Sequence, residues 1–422
     1  MYYTFRAFRH RNYRLWFIGQ GISLIGSWMQ TMAQQVLIYR LTGSAAALGL
    51  MSLLGLIPLL PFALWGGSLS DRLPKQKVIL VCQVLLMLQA FGLAVVVWTG
   101  VVQVWQVYVF SILLAAIQAV DLPARQAFTV DMVDDKADLT NAIGLNSAMF
   151  NGARAIGPAA AGILVAATGE GTAFFINGLS FIAVIISLLM MRNLPQSSRP
   201  VESSKLKGHM IEGLRFLFKQ QSLLVLISLV GVSAFLSMPY NTLMPVFAEK
   251  VLFQNAQPVV GAICGVMSCQ SPEALPLGLL LGMMGTGATI GALLVASLPD
   301  RAKRGVMLTI GNLSFPAMLV LFALSRSFGW SLLIMLMVGV SFTWQNALAN
   351  TLLQLNTPDE MRGRVMSFYS LSFQTMMRLG GMQAGLVADW LSAPLSVGIG
   401  AVISLLYGLF VAIAYPKVRR LT

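Results

Sequence analysis

Residues 152–162 read GARAIGPAAAG, a run of small and apolar residues with one arginine in it. The run lies inside a longer apolar stretch, 141–166, which is long enough to cross the roughly 30 Å hydrocarbon core of a bilayer. Gly157 and Pro158 provide a small surface for close helix packing and a bend. The stretch therefore predicts a membrane-spanning helix that keeps the full positive charge of Arg154 within the membrane.

The same pattern recurs along the 422-residue chain, of which 57% is hydrophobic and only 10% charged. Soluble domains average about 25% charged residues. The apolar runs are separated by short loops, and in a bilayer such runs can only be helices. An all-α membrane protein is predicted, with twelve spans at about 14–36, 45–68, 77–98, 104–126, 141–166, 172–191, 222–247, 275–297, 305–325, 329–352, 366–387 and 394–415.

The positive charge is unevenly distributed along the chain. A net charge of +13 is compatible with nucleic-acid binding, but the Lys and Arg residues are placed differently. They lie in the two tails and in alternate loops, and among the intervening loops only Arg40, Lys250 and Arg326 occur. This is the positive-inside asymmetry. It predicts cytoplasmic termini, with the lipid bilayer and not nucleic acid as the partner.

The chain divides at its most polar stretch, NLPQSSRPVESSKLKGH. We predict an N-terminal six-helix bundle over 1–192 and a C-terminal six-helix bundle with a short tail over 222–422. Between them, residues 193–221 are predicted to form a cytoplasmic linker with an amphipathic surface helix.

The two halves carry related segments. Residues 131–157 align without a gap with 355–381, which matches Arg154 with Arg378. Repeated six-span halves are typical of secondary transporters, with the transport path between them.

The loop between spans 2 and 3 reads GGSLSDRLPKQK (66–77) and resembles a signature of the major facilitator superfamily. The matching or equivalent residues are Gly67, Asp71, Arg72 and Lys75. The resemblance implies that Asp71 accepts hydrogen bonds from the N-terminus of span 11 and holds an inside gate shut. It also implies that Lys75 pairs with a carboxylate on span 4.

The span 5 run resembles the antiporter motif of the same superfamily. The positions that match this motif are Gly144, Gly157, Pro158 and Gly162. The arginine that span 4 of drug antiporters carries is absent, and Ala115 stands in its place.

Three stretches are similar to the branch that contains enterobactin exporters and macrolide efflux proteins: DLPARQAF, LTNAIGLNSAMFNGARAIGPAAAG and NTPDEMRGRVMSFYSL. The resemblance implies two pseudo-symmetric six-helix bundles in the bacterial inner membrane. It also implies export of an amphipathic small molecule such as a siderophore, macrolide or other drug, by alternating access. We expect a monomer that uses the proton gradient and no cofactor.

Asp121 is the one acidic residue within a predicted span. An ionisable group at membrane depth is costly, which indicates a function as a proton site or as the partner of Lys75. The alternative is an interfacial carboxylate that pairs with Arg125 one turn on. Asp131 competes with Asp121 as the partner of Lys75.

Arg154 and Arg378 each lie in a polar stripe at helical spacing, which should face the bundle interior. In one interpretation they attract an anionic substrate or respond to the protonation of a carboxylate. In the other they donate hydrogen bonds to carbonyls of neighbouring spans and hold the halves together. The sequence leaves both interpretations open.

Cavities of the superfamily are lined mainly by spans 1, 4, 7 and 10. Amides and aromatic residues with little charge in these spans suit a bulky, amphipathic substrate. The candidates are Gln20, Trp28, Gln30, Gln34, Gln118, Tyr240, Asn241, Trp344, Gln345 and Asn346.

Other functions are less well supported. No phosphate-binding loop for ATP is present, and no catalytic constellation at membrane depth indicates an enzyme. A lysolipid carrier of the same fold is the main alternative to a drug or siderophore exporter. His10 and His209 are isolated along the sequence, so no metal site is predicted. Cys264 and Cys269 lie close enough for a disulfide, but two free thiols are equally compatible with the sequence.

Overall fold

The computed structural model describes residues 5–59, 61, 73–133, 136–192, 194, 215–299 and 302–420. Within these ranges the chain is helical, and they contain no β-strand. Apolar side chains fill the contacts between helices and also cover the outer faces, as a protein surrounded by lipid requires.

The first half of the chain forms one helix for each of the six predicted spans. These helices are α1 (Arg11–Thr42), α2 (Ala45–Leu54), α3 (Lys75–Trp98), α4 (Val104–Asp131), α5 (Lys136–Thr168) and α6 (Glu170–Leu189).

From Gln221 onwards, the described residues form eight α-helices. They are α7 (Gln221–Leu236), α8 (Tyr240–Val246), α9 (Phe253–Val266), α10 (Ala274–Ala296), α11 (Arg304–Leu324), α12 (Phe328–Leu355), α13 (Asp359–Trp390) and α14 (Ala393–Ala414). The predicted span 7 is broken into α7 and α8, because Pro239 cannot supply a backbone N–H to a continuous helix. Helix α9 belongs to the loop that follows, and spans 8 to 12 correspond to α10 to α14.

Nine helical segments of the described residues are long and apolar enough to cross a membrane. The remaining predicted spans are those of α1, α2 and α13. Helices α1 and α13 have 32 residues each and are long enough, but polar side chains along them lower their hydropathy. The second half of the predicted span 2 lies mostly outside the described residues.

Helix contacts group the described residues into two compact units. The first unit takes those within 1–43, 54–202 and 259–282, and the second takes those within 44–53, 203–258 and 283–422. In the first unit α1 packs on α5 and α6, and α3 packs on α4 and α6. In the second, α11 packs on α12 and α14, and α7 packs on α13.

The start of α2 therefore packs with the second half of the chain, and the start of α10 packs with the first half. These two exchanged segments bring parts of both halves into each unit. The division of the chain at 193–221 stays a prediction. Most of that linker lies outside the described residues, but Leu217 is buried in an apolar cluster with Leu223 and Leu226.

Cys264 and Cys269 form a disulfide at the end of α9, with their Cα atoms 5.4 Å apart. Of the two alternatives compatible with the sequence, the pair adopts the bonded one. Cys82 is the remaining cysteine and is a buried free thiol on α3.

Candidate functional site

The loop that carries the superfamily signature is described only at its end. Gly67, Asp71 and Arg72 lie outside the described residues. Lys75 begins α3, and its Nζ lies 3.0 and 2.9 Å from the two carboxylate oxygens of Asp131, at the end of α4. Of the two candidate partners that the sequence left open, Lys75 therefore pairs with Asp131 and not with Asp121.

Asp121 is buried between α3 and α4, with 3% of its surface exposed. Its carboxylate lies 2.5 Å from a guanidinium nitrogen of Arg125, one turn further along α4. Gln83 on α3 donates a hydrogen bond of 3.1 Å to the other carboxylate oxygen. The pairing with Arg125 that the sequence offered as an alternative is thus present. A buried carboxylate with one cation and one amide donor can still serve as a proton site.

Arg154 lies against α1 within the first unit. Its guanidinium carbon is 5.7 Å from the centre of the Trp28 ring, a distance at which cation–π attraction acts. Gly157, three residues on, allows the approach of α1: a Cβ atom at this glycine would be 2.5 Å from the Cβ of Trp28. The aromatic face of Trp28 is one favourable contact for this charge in an otherwise apolar run.

Arg378 lies on α13 in the second unit. Its guanidinium donates a hydrogen bond of 3.1 Å to the backbone carbonyl of Ser52 at the end of α2. This contact favours the interpretation in which the arginine holds neighbouring spans together.

Two glycine–glycine contacts within the described residues join helices from different halves of the chain. In the first unit Gly162 on α5 meets Gly278 on α10, where a Cβ atom on Gly278 would lie 2.6 Å from the Cα of Gly162. In the second unit Gly49 on α2 meets Gly381 on α13, where a Cβ atom on Gly49 would lie 2.7 Å from the Gly381 carbonyl oxygen. We call these two contacts the glycine crossings. Gly144 has open space around its Cα and lies outside both.

Two of the predicted cavity amides are bonded inside the helix packing. Gln30 receives a hydrogen bond from Asn177 and donates one to Gln89. Gln345 donates to Asn312 and accepts from Ser233. Both glutamines are 1% exposed, so they satisfy buried partners and do not face an open surface.

Three other candidates have buried polar atoms that lack a hydrogen-bond partner among the described residues: Gln20, Gln34 and the indole nitrogen of Trp344. Such atoms are costly unless a ligand or water supplies the partner.

The last candidates vary in their environment. Tyr240 packs edge-on against Phe315, and Asn346 donates to the carbonyl of Phe342 on its own helix. Gln118 is exposed and Asn241 is half-buried.

The sequence interpretation missed Asp138, which is fully buried in the first turn of α5. Arg6 lies 2.7 Å from it, Arg9 also pairs with it, and His10 lies 2.8 Å away. His10, although isolated along the sequence, therefore lies in a charged cluster in the fold. Sequence distance concealed this cluster, because more than a hundred residues separate the N-terminal turn from α5.

Two further acids at helix ends were also missed. Glu170 begins α6, is 2% exposed and lies 2.9 Å from Arg40. Asp389, near the end of α13, accepts hydrogen bonds from the Ser44 hydroxyl at 2.6 Å and from the N–H groups of Ala45 and Ala46 at 2.7 and 3.1 Å. It therefore caps the N-terminus of α2 from another helix. The only sequence signal for such a cap is an acidic residue directly after an apolar run. Asp389, between Ala388 and Trp390 at the end of α13, has this position.

Replacing Asp389 with alanine should lower the stability of the purified protein by about 1–2 kcal/mol, because α2 loses its cap and two backbone N–H groups lose their acceptor. Thermal unfolding in detergent measures this loss. Asp389→Asn, which keeps one acceptor oxygen for the backbone N–H groups of α2, is the matched control and should cost less. If the Asp389→Ala protein unfolds at the same temperature as the parent, the stabilising role of this cap is contradicted.

Comparison with known proteins identifies efflux proteins among the relatives of this chain. Macrolide efflux protein A of Streptococcus pyogenes is 26% identical over 379 residues, which cover 89% of each chain. The staphyloferrin A transporter of Staphylococcus aureus is 23% identical, again over 89% of each chain. The multidrug efflux pump Tap of Mycolicibacterium fortuitum is 23% identical over 96% of this chain and 93% of its own.

Solved transporter structures share the fold. The nucleoside transporter NupG superposes with a TM-score of 0.70 at 15% identity, over 98% of this chain and 100% of its own. A bacterial homologue of the lysosomal transporter Spinster gives a TM-score of 0.67 at 15% identity, over 97% of each chain. The predicted all-α membrane-transporter fold and the assignment as a transporter and not an enzyme are confirmed. The family model for transmembrane secretion effectors matches residues 3–420, and the chain therefore belongs to this family of the major facilitator superfamily.

Proposed function

We propose that this multi-pass inner-membrane transporter exports an amphipathic small molecule, such as a siderophore, a macrolide or another drug. The proposed cycle is alternating access driven by the proton gradient, with both termini in the cytoplasm. The direction and the substrate class come from the relatives, whose names give macrolides, staphyloferrin A and multiple drugs as cargo.

The observation that carries this proposal is the pair of glycine crossings. Each joins a helix of one half of the chain to a helix of the other, through backbone contacts that no side chain separates. Alternating access requires contacts between the repeats that can open and close as units. Glycine surfaces suit this requirement, because they pack closely without interlocking side chains.

An amphipathic substrate is supported by the unpartnered polar atoms. Gln20 and Gln34 lie on α1 and Trp344 lies on α12, in two of the spans that line the cavity in the superfamily. Isolated amide and indole groups among apolar side chains are typical of sites that orient a bulky ligand by a few hydrogen bonds. Gln20 and Gln34 in the first unit and Trp344 in the second are uncharged, so none of them requires a formal charge on the substrate.

Asp121 is the proposed coupling residue. It is buried, it belongs to a membrane span, and its charge is balanced by one neighbouring guanidinium. Protonation of the carboxylate would leave Arg125 without its counter-charge, which gives the two protonation states different conformational preferences. Arg154 and Arg378 do not lose protons under physiological conditions, so they can only respond to such a change.

The test is uptake into inside-out membrane vesicles that are acidified internally by respiration. A macrolide, a carboxylate siderophore and a lysolipid should each be supplied outside, with empty vector vesicles as the control. Accumulation of the macrolide or siderophore that collapses on addition of a protonophore is the expected result. Accumulation that persists with the protonophore would contradict proton coupling, and accumulation of the lysolipid alone would contradict the substrate class.

A further inference from the structure

A groove of about 460 Å³ lies between α3 and α4 in the first unit. This volume is within the roughly 300–1,000 Å³ range of small-molecule pockets. The groove is lined by Lys77, Val81 and Leu85 of α3 and by Ala116, Ile117 and Val120 of α4, among others. We call it the α3–α4 groove.

The walls of the α3–α4 groove are apolar apart from one cation. Val81 is 58% exposed and Leu85 45% exposed, so the groove opens towards the surrounding lipid and not into the helix packing. Along α3 it extends from Pro74 to Leu85, which is about 16 Å at 1.5 Å per residue. This is roughly half of the ~30 Å hydrocarbon thickness, and so corresponds to one leaflet.

Lys77 is the exposed cation at the end of the groove where α3 begins. The neighbouring charges within the described ranges are already balanced. Lys75 is paired with Asp131, and Asp121 is buried with Arg125. Among the residues that the structure describes, no acidic side chain pairs with the ammonium group of Lys77, which lies beside this apolar, chain-length hollow.

We propose that the α3–α4 groove binds one anionic phospholipid of the cytoplasmic leaflet, with an acyl chain between the helices and its phosphate on Lys77. Lysine side chains at helix ends extend towards the interface and meet the head-group region. An apolar cavity without polar partners holds no ordered water, so a hydrocarbon chain is the occupant that its walls favour. The small side chain of Ala116 makes room for that chain.

This inference goes beyond the proposed export function. It rests on the proposed orientation, in which α3 begins at the cytoplasmic face. Its test does not measure transport. The full-length protein in detergent is titrated with dioleoylphosphatidylglycerol or dioleoylphosphatidylcholine, and native mass spectrometry counts the lipids retained. The parent should retain one phosphatidylglycerol in clear preference to phosphatidylcholine.

Removal of the charge tests the phosphate contact. Lys77→Gln should weaken phosphatidylglycerol binding about fivefold, which corresponds to the loss of one lysine contact at an anionic surface. Lys77→Arg should retain it. Lys303→Gln, at an exposed lysine just before α11, is the matched control and should bind as the parent does. Equal affinity of the parent and Lys77→Gln for phosphatidylglycerol would overturn the proposal.

Filling the groove tests the acyl-chain contact. Ala116→Trp should eliminate the preferred phosphatidylglycerol, whereas Leu113→Trp, on α4 outside the groove, should not. Size-exclusion chromatography and circular dichroism confirm that each variant is folded. Retention of phosphatidylglycerol by a folded Ala116→Trp protein would overturn the proposal. Displacement of phosphatidylglycerol from the parent by glycerol phosphate alone would overturn it as well.

Discussion

Replacing Gly278 with leucine should reduce export at least tenfold while the protein still reaches the membrane. A Cβ atom at this position would lie 2.6 Å from the Cα of Gly162 and 2.7 Å from the carbonyl oxygen of Pro158. Both obstacles are backbone atoms of α5, which cannot move aside as a flexible side chain does. The helices must separate, and the closed form of this glycine crossing is lost. A tenfold effect corresponds to about 1.4 kcal/mol, a small penalty for such an overlap.

Initial rates of vesicle uptake, normalised to the amount of protein in the membrane, measure this effect. Gly162→Leu changes the same contact from the α5 side and should reduce export to a similar extent. Gly152→Leu, also on α5, is the matched control because a Cβ atom there would meet no other atom within 4 Å. Export at the parent rate by Gly278→Leu would show that the crossing does not close during the cycle.

Neutralising Asp121 should abolish the response of export to the pH gradient and also destabilise the protein. Asp121→Asn leaves the guanidinium of Arg125 buried without its counter-charge, and breaking a buried ion pair from one side costs about 3–5 kcal/mol. The loss of stability must therefore be separated from the loss of coupling. Asp121→Asn/Arg125→Gln removes both charges together and should recover much of the stability.

The double variant distinguishes the two roles. Export is measured at a constant substrate gradient while only the pH difference is changed. If Asp121 is the coupling site, the double variant is stable but no longer responds to the pH difference. If the pair is only structural, the double variant responds like the parent, and the coupling role of Asp121 is refuted.

A second ion pair on the same helix provides the control. Asp131→Asn/Lys75→Gln removes the charges of a pair whose side chains are 14% and 16% exposed, at the end of α4. This variant should export more slowly but keep its response to the pH difference. If this variant also loses the pH response, coupling does not depend on Asp121 alone.

The arrangement around Lys75 shows what could not be predicted from the sequence. Asp121 and Asp131 lie on one helix, and each was a candidate partner. They are ten residues apart, which is about 15 Å along a helix axis. Helices α3 and α4 are consecutive spans and run in opposite directions, so the start of α3 is level with the end of α4. Lys75 reaches Asp131 for this reason, whereas Asp121 lies deeper and is held by Arg125 and Gln83.

The cavity amides show a similar limit. Gln30 and Gln34 are one helical turn apart on α1 and have the same chemistry, yet Gln30 bonds to Asn177 and Gln89 while the amide nitrogen of Gln34 has no partner among the described residues. The difference depends on which side chains of α3 and α6 face each position. No pattern along α1 contains that information.

The amino-acid order by itself determined that this chain crosses a membrane many times as helices, because long apolar runs can satisfy their backbone hydrogen bonds in lipid only in that form. Its motifs also indicated the superfamily. Only the tertiary structure decided the partners of each polar group: Asp131 for Lys75, Trp28 for Arg154, the Ser52 carbonyl for Arg378, and the start of α2 for Asp389. Burial in lipid depends on composition over some twenty residues, whereas a hydrogen bond or ion pair depends on positions within a few ångströms that only packed helices define.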